Sequence, residues 1–349
     1  MSWLAEKIMA VLTTGMYGDS LLYFPTIGGM PKLTSQNPSG YRSPSDLGIP
    51  FDSHFIPTSP TVSVHAWVLK SGPDRPTFLF FHGNAGNIGF RLPNAYRMWK
   101  LGYNVVMVEY RGYGESPGNP PVNEEGLKRD AEEVLKWCRA EGRWFDGDNM
   151  FLFGRSLGGA VAFHLAEYAK REGIGLRGVV VENTFTSISD MVDRVMPIVA
   201  PLKGLVLRIG WDSKKIVGKL DVPVLFISGR SDELVPVEQM DELYGLAEGR
   251  SSNTRMYRVN NGTHNDTWMK GGEYYWSVWR SWVESVLGSS PGTFVNEGGG
   301  MRRGNNVAVG VPVNGESIPI MPNTMGGIVG EGFRGKGGDT NNGGTKKNV

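Results

Sequence analysis

Between Asn149 and Ala166 the chain reads NMFLFGRSLGGAVAFHLA. A short unbroken apolar run enters a Gly-Arg-Ser-Leu-Gly-Gly turn, and a longer, almost wholly apolar run leaves it. A strand that is apolar on both faces has to be covered on both faces, as in a parallel sheet wrapped in helices. A helix that follows such a strand directly is the first half of a crossover to the next parallel strand. This junction points to an α/β sheet before the rest of the chain is read.

The rest repeats the pattern. Thr77 to Phe81 (TFLFF), Asn104 to Glu109 (NVVMVE), Gly178 to Glu182 (GVVVE), Val222 to Ser228 (VPVLFIS) and Arg255 to Val259 (RMYRV) read as further strands. Phe51 to Pro57 and Val62 to Leu69 read as a strand pair. Helical periodicity lies between the runs: Glu124 to Arg139 places Leu127, Ala131, Val134, Leu135 and Cys138 on one face, and 237–246 and 273–287 are similar. The expected fold class is α/β, one domain with a mainly parallel eight-stranded sheet. Right-handed crossovers put its helices on both faces.

The flanks differ. From Gly288 to Val349 the chain is mainly Gly, Asn, Pro, Ser and Thr, which cannot bury enough apolar area to offset its ordering entropy, so a disordered tail is expected there. Residues 1–50 form an N-terminal segment, and 31–50 read as loop because prolines and glycines interrupt them. Between these flanks the domain spans 51–287. The excursion 184–218, broken by Pro197 and Pro201, is expected to lie over the strand ends as a small lid.

Met1 to Leu12 (MSWLAEKIMAVL) has too little continuous apolar length for a cleavable signal. Ile8 to Phe24 is interrupted by Gly15, Gly18 and Asp19, whereas a spanning helix needs about 20 mostly apolar residues. Two readings stay open. The N-terminus is a helix packed on the domain, or an amphipathic anchor making peripheral contact with a membrane from inside the cell. The 36 basic and 35 acidic residues leave a net charge of +1, which gives no electrostatic case for a nucleic-acid partner. A single cysteine, Cys138, excludes an internal disulfide and a cysteine-rich zinc site. No motif calls for a metal or another cofactor.

The turn carries chemistry as well as topology. Gly154-Arg155-Ser156-Leu157-Gly158 matches G-x-S-x-G, a strand-to-helix turn so tight that side chains at the glycine positions would strike neighbouring backbone. It lifts the Ser156 hydroxyl clear of the sheet. It also leaves the Leu157 amide at a helix N-terminus, where it can donate to a developing oxyanion. A serine that merely caps its helix would read the same, so the partners decide. SGRSDELVP follows one strand and offers Asp232; NGTHNDTW follows the last and offers His264. The order serine, acid, histidine is that of a hydrolase triad in this kind of sheet. His82-Gly83-Asn84-Ala85-Gly86-Asn87 follows TFLFF, and the Asn84 amide is the expected second oxyanion donor.

Rivals are weaker. His54 and His65 lie in the first strand pair, His164 reads as a packed core residue, and His82 as a brace for the Asn84 loop. Glu182, at the end of GVVVE, is the second choice of acid. Asp221 lies on the wrong side of the sheet. Glu233 is expected to point away, and Asp266 is too near His264 in sequence to orient it easily.

Six segments in order, HGNAGNIGFRLP, VEYRGYGESPG, FGRSLGGAVAFHLA, VVENTFTSISDM, FISGRSDELVP and GTHNDTW, resemble the Bem/wavy-growth family of α/β-hydrolases. The resemblance covers about 51–287. It implies the α/β-hydrolase fold, with the second strand antiparallel, and puts nucleophile, acid and base on Ser156, Asp232 and His264. It also implies an anchor near the N-terminus in many members. A related branch removes palmitoyl groups from proteins. This chain departs from that branch, lacking an N-terminal cysteine cluster.

The expected function is a serine hydrolase cleaving an acyl ester or thioester of a small-molecule or lipid-linked substrate, a palmitoyl thioester included. The apolar run MPIVAPLKGLVL in the excursion favours a lipid-linked acyl group. A serine peptidase with the same triad is the alternative within the enzyme class. A non-catalytic scaffold that kept the fold is the alternative outside it.

Overall fold

The computed structural model describes residues 19–140, 144–195 and 210–288. The expected N-terminal helix, the middle of the excursion with all of its apolar run MPIVAPLKGLVL, and the Gly-rich tail lie outside the described residues.

Eight strands make one sheet: β1 (Phe51–Ser59), β2 (Val62–Leu69), β3 (Thr77–Phe81), β4 (Asn104–Val108), β5 (Met150–Arg155), β6 (Gly178–Glu182), β7 (Val224–Gly229) and β8 (Arg255–Val259). Their order across the sheet is β1-β2-β4-β3-β5-β6-β7-β8. β2 runs antiparallel to both β1 and β4, and the pairs from β4 to β8 are parallel. This is the α/β-hydrolase arrangement.

The helices are α1 (Asp19–Leu22), α2 (Leu92–Lys100), α3 (Glu124–Arg139), α4 (Leu157–Arg171), α5 (Ile188–Val195), α6 (Ser213–Val217), α7 (Val237–Ala247), α8 (Thr267–Lys270) and α9 (Gly272–Val286). Alternation along each strand divides the core in two. Leu79, Phe81 and Leu152 pack with α3, α4 and α7 on one face. Phe78, Phe80, Phe151 and Phe153 pack with α2 and the Tyr275, Trp279 and Trp282 side of α9 on the other. Both faces are therefore dry, as the apolar runs require, and truncating one such phenylalanine to alanine costs about 3–5 kcal/mol.

Helix α3 shows its local signals plainly. Asn123 accepts from the Gly126 amide at 2.8 Å, Glu124 and Glu125 stand at the positive end, and Lys136 and Arg139 at the negative end. Cys138 is buried in the core on this helix.

Two expectations need correction. His164 is only half-buried and pairs through Nε2 with Glu132 at 2.8 Å, so it is a boundary residue. The loop 31–50 is not wholly irregular: it contains single 3-10 turns at Thr34–Gln36 and Pro44–Leu47.

Candidate active site

β5 enters the turn without a loop, and Ser156 sits between strand and helix with φ 54° and ψ −121°. A non-glycine residue at such a φ stores strain that the surroundings must hold. They do so through the end of β6. The Ser156 amide donates to the Glu182 carbonyl at 2.9 Å, and the Thr184 hydroxyl donates to the Ser156 carbonyl at 2.8 Å. The glycines are obligatory by contact. A Cβ on Gly154 would fall on the Gly158 backbone, and one on Gly158 would fall on the carbonyl of Phe81.

Asp232 follows β7 and His264 follows β8. His264 Nδ1 lies 2.8 Å from one Asp232 carboxylate oxygen and 3.1 Å from the other. The amides of Leu234 and Val235 both donate to Asp232 Oδ1 at 2.8 Å, which fixes the carboxylate as acceptor. Nδ1 is then the donor, and Nε2 is left with its lone pair. Ser156 and His264 line one cavity of about 60 Å³ together with Gly83, Asn84, Leu234 and Asn265. No hydrogen bond joins Ser156 to His264.

The loop after β3 is braced from below. His82 Nδ1 donates to the Gly83 carbonyl at 2.7 Å, Tyr110 donates to the His82 carbonyl at 2.7 Å, and Tyr113 donates to the Asn84 carbonyl at 2.8 Å. Beneath it, His82 Nε2 faces Glu109 Oε1 at 3.5 Å, and both groups are fully buried. Burial pushes Glu109 up to about 8, partly offset by the Ile88 amide that donates to its other oxygen. Burial, aided by Arg91, pulls His82 down to about 3. Both shifts favour the neutral forms, and no hydrogen bond joins His82 Nε2 to Glu109 Oε1 across the 3.5 Å between them. RGYGESPG, which supplies Tyr113, is a buttress for the loop after β3.

Sequence reasoning missed several residues. Asn183, with φ 50° and buried, donates its side-chain amide to the carbonyls of Thr263 and His264 at 3.1 Å and to the Thr267 hydroxyl at 3.0 Å. Its Oδ1 accepts from the Gly229 amide at 2.8 Å. It ties the β6, β7 and β8 ends together. Glu233 does not point away, as expected, but accepts from the His264 amide at 3.2 Å. Its position one residue after Asp232, on a tight loop, turns it toward the same strand end. Glu182, the second-choice acid, is occupied with Arg155 at 2.5 Å and Tyr275 at 2.6 Å on the other face of the sheet. Asp266 accepts from the amide and hydroxyl of Thr263, both at 2.7 Å.

Two buried guanidiniums, Arg91 and Arg155, also line the cavity. Arg155 is paired with Glu182, whereas Arg91 donates to the Ala85 carbonyl at 2.9 Å and has no carboxylate partner among the described residues. Ile27 and Met30, from the N-terminal segment, complete the wall. Nothing in their local sequence announces it.

Residues 72–212 match the family model described as serine aminopeptidase, S33. The α/β-hydrolase domain-containing protein WAV2 of Arabidopsis thaliana is 35% identical over 277 residues, covering 75% of this chain and 86% of its own length. Protein bem46 of Schizosaccharomyces pombe is also 35% identical, over 78% of this chain and 89% of its own length. An uncharacterized membrane protein of Saccharomyces cerevisiae is 34% identical over 80% of this chain and 93% of its own. Among solved structures, the Pyrococcus furiosus esterase Pf2001 superposes with a TM-score of 0.57 at 20% identity, over 76% of this chain and all of its own, a likeness of fold.

Proposed function

Because this chain belongs to the α/β-hydrolase family of WAV2 and bem46, we propose that it is a serine hydrolase of acyl esters and thioesters. Ser156 is the nucleophile, His264 the general base and Asp232 the acid that orients it. The observation that carries the reading is the single cavity shared by Ser156 and His264, with Asp232 bonded to the far ring nitrogen.

Ser156 Oγ attacks the acyl carbon, and its proton passes to His264 Nε2. The carbonyl electron pair moves to oxygen, and that oxyanion accepts from the amides of Leu157 and Asn84. Neither amide donates to another described residue. On collapse the carbon–leaving-group bond breaks and His264 returns the proton to the departing oxygen or sulfur. Water, deprotonated by His264, then attacks the acyl-enzyme and frees Ser156.

Ile27, Met30, Ala85 and Leu234 give the cavity an apolar wall, which supports an acyl substrate as the finer reading; the palmitoyl thioester expected from the sequence would have to extend past these side chains. Among the described residues no helix is long and apolar enough to cross a membrane. The yeast relative's description as a membrane protein supports peripheral membrane contact through the N-terminal segment 1–50. The description of the matching family model favours a second reading, hydrolysis of a peptide bond by the same three residues.

The test is labelling by a fluorophosphonate, wild type against Ser156→Ala, followed by a panel of esters, thioesters and aminoacyl amides. Labelling of wild type alone is the expected result. Absence of labelling in folded protein would overturn the enzyme reading in favour of a scaffold.

A further inference from the structure

The N-terminal segment is bonded to the oxyanion loop by main-chain contacts. Phe24 and Ala85 form a parallel bridge. The Phe24 amide donates to the Asn84 carbonyl at 2.9 Å, and the Gly86 amide donates to the Phe24 carbonyl at 3.2 Å. Both loop asparagines are turned to the same segment: Asn84 Nδ2 donates to the Leu22 carbonyl at 3.0 Å, and Asn87 Nδ2 to the carbonyls of Pro31 and Lys32 at 3.1 and 3.2 Å. Tyr23, in the same stretch, accepts from Trp211 Nε1 at 2.8 Å. The segment is thereby clamped between the oxyanion loop and the excursion.

Between these anchors lies a hairpin-like turn, Ile27-Gly28-Gly29-Met30. The Met30 amide donates to the Ile27 carbonyl at 3.0 Å, and Gly29 takes φ 83°, a conformation glycine adopts at no steric cost. The turn sets Ile27 and Met30 beside each other, and both line the cavity that holds Ser156 and His264. The Met30 methyl lies where a side chain on Gly86 would be, so Met30 rests directly on the oxyanion loop. Both side chains are half-buried, with apolar surface facing a small apolar space.

We propose that Ile27 and Met30 are specificity-determining residues: they close the acyl end of the pocket and limit the chain length that Ser156 accepts. The inference rests on the serine-hydrolase reading. Ile27 and Met30 line the cavity that holds Ser156 and His264, so an acyl chain that runs along this wall meets these two side chains. They touch no reacting atom, so their effect falls on selection between substrates and not on the chemical step. A methylene that fits or fails to fit an apolar pocket changes kcat/KM by roughly 10-fold or more.

The experiment measures kcat/KM on p-nitrophenyl acetate, butyrate, octanoate and dodecanoate for the full chain. The expected result is a wild-type preference for the short esters. In Ile27→Ala/Met30→Ala the octanoate-to-butyrate ratio of kcat/KM rises about tenfold or more. Ile27→Trp, which fills the pocket, moves the ratio the other way and guards against a folding defect in the double variant. A ratio unchanged in both variants, with ester hydrolysis retained, overturns the inference and leaves the serine-hydrolase reading standing. Failure of wild type to hydrolyse any ester or to be labelled at Ser156 overturns both.

Discussion

The side-chain amide of Asn183 donates to the backbone carbonyl of His264 at 3.1 Å, joining residues 81 apart in the chain. With the Gly229 amide on its other end, this one side chain fixes the spacing between the strand that leads to Asp232 and the loop that carries His264. The Asp232–His264 contact is thus set by a residue that touches neither ring nor carboxylate.

Asn183→Ala strands a buried donor at Gly229 and a buried acceptor at His264. Each such loss costs about 1–3 kcal/mol, so a drop of at least about 2 kcal/mol in urea unfolding is expected. Ester kcat should fall further than Tm alone explains, because His264 is no longer held opposite Asp232.

Asp232→Asn presents an amide where Nδ1 now donates. The imidazole then favours the tautomer with its proton on Nε2, which cannot accept from Ser156. A fall in kcat of about 10⁴-fold is expected, with secondary structure by circular dichroism unchanged.

Glu109 gives the fold a pH dependence. Its carboxyl is raised from an ordinary value near 4.5 to about 8, so between those values the folded chain holds a proton that the unfolded chain has released. Its contribution is full below about 4.5 and is lost as pH rises through about 8, at most ~1.4 kcal/mol per pH unit; His82, lowered from 6.5 to about 3, contributes the opposite slope up to 6.5, so the net decline of the pair falls between about 6.5 and 8. Glu109→Gln removes the Glu109 contribution. Urea midpoints from pH 5 to 9 should decline in wild type relative to the variant; parallel curves would refute the assignment.

Arg91, a buried cation in no ion pair among the described residues, should bind the carboxylate released by hydrolysis. The acid product is expected to inhibit at lower concentration than an alcohol of equal length. Arg91→Lys, which keeps the charge but loses the planar fork, should weaken that inhibition by about tenfold.

Gly158→Ala drives a methyl into the carbonyls of Phe81 and His82. Because backbone cannot yield as a flexible side chain does, a loss of about 1–3 kcal/mol or more is expected, together with loss of fluorophosphonate labelling.

The strands were readable because a strand covered on both faces must be apolar throughout, and Phe151, Leu152 and Phe153 announce this without any partner. The turn at Ser156 was readable because only glycine fits its close approaches. Asp232 and His264 follow from their places just past two strands. Ile27 and Met30 do not. They sit in a stretch whose docking runs through main-chain groups of Leu22 and Phe24, and main-chain groups leave no mark in a sequence. Asn183 is similarly mute, since one asparagine among small polar residues reads as loop until its four partners converge. Glu233 was misread because a side chain's direction on a tight loop depends on backbone angles that adjacency does not reveal.

The clamp on the N-terminal segment also sets an order of events. Tyr23 meets a partner 188 residues later in the chain, so docking this stretch closes a long loop. Its docking is expected to be a late step of folding. In refolding experiments the recovery of ester hydrolysis should lag behind the recovery of helical signal, and the lag should shorten when Trp211→Phe loosens the grip.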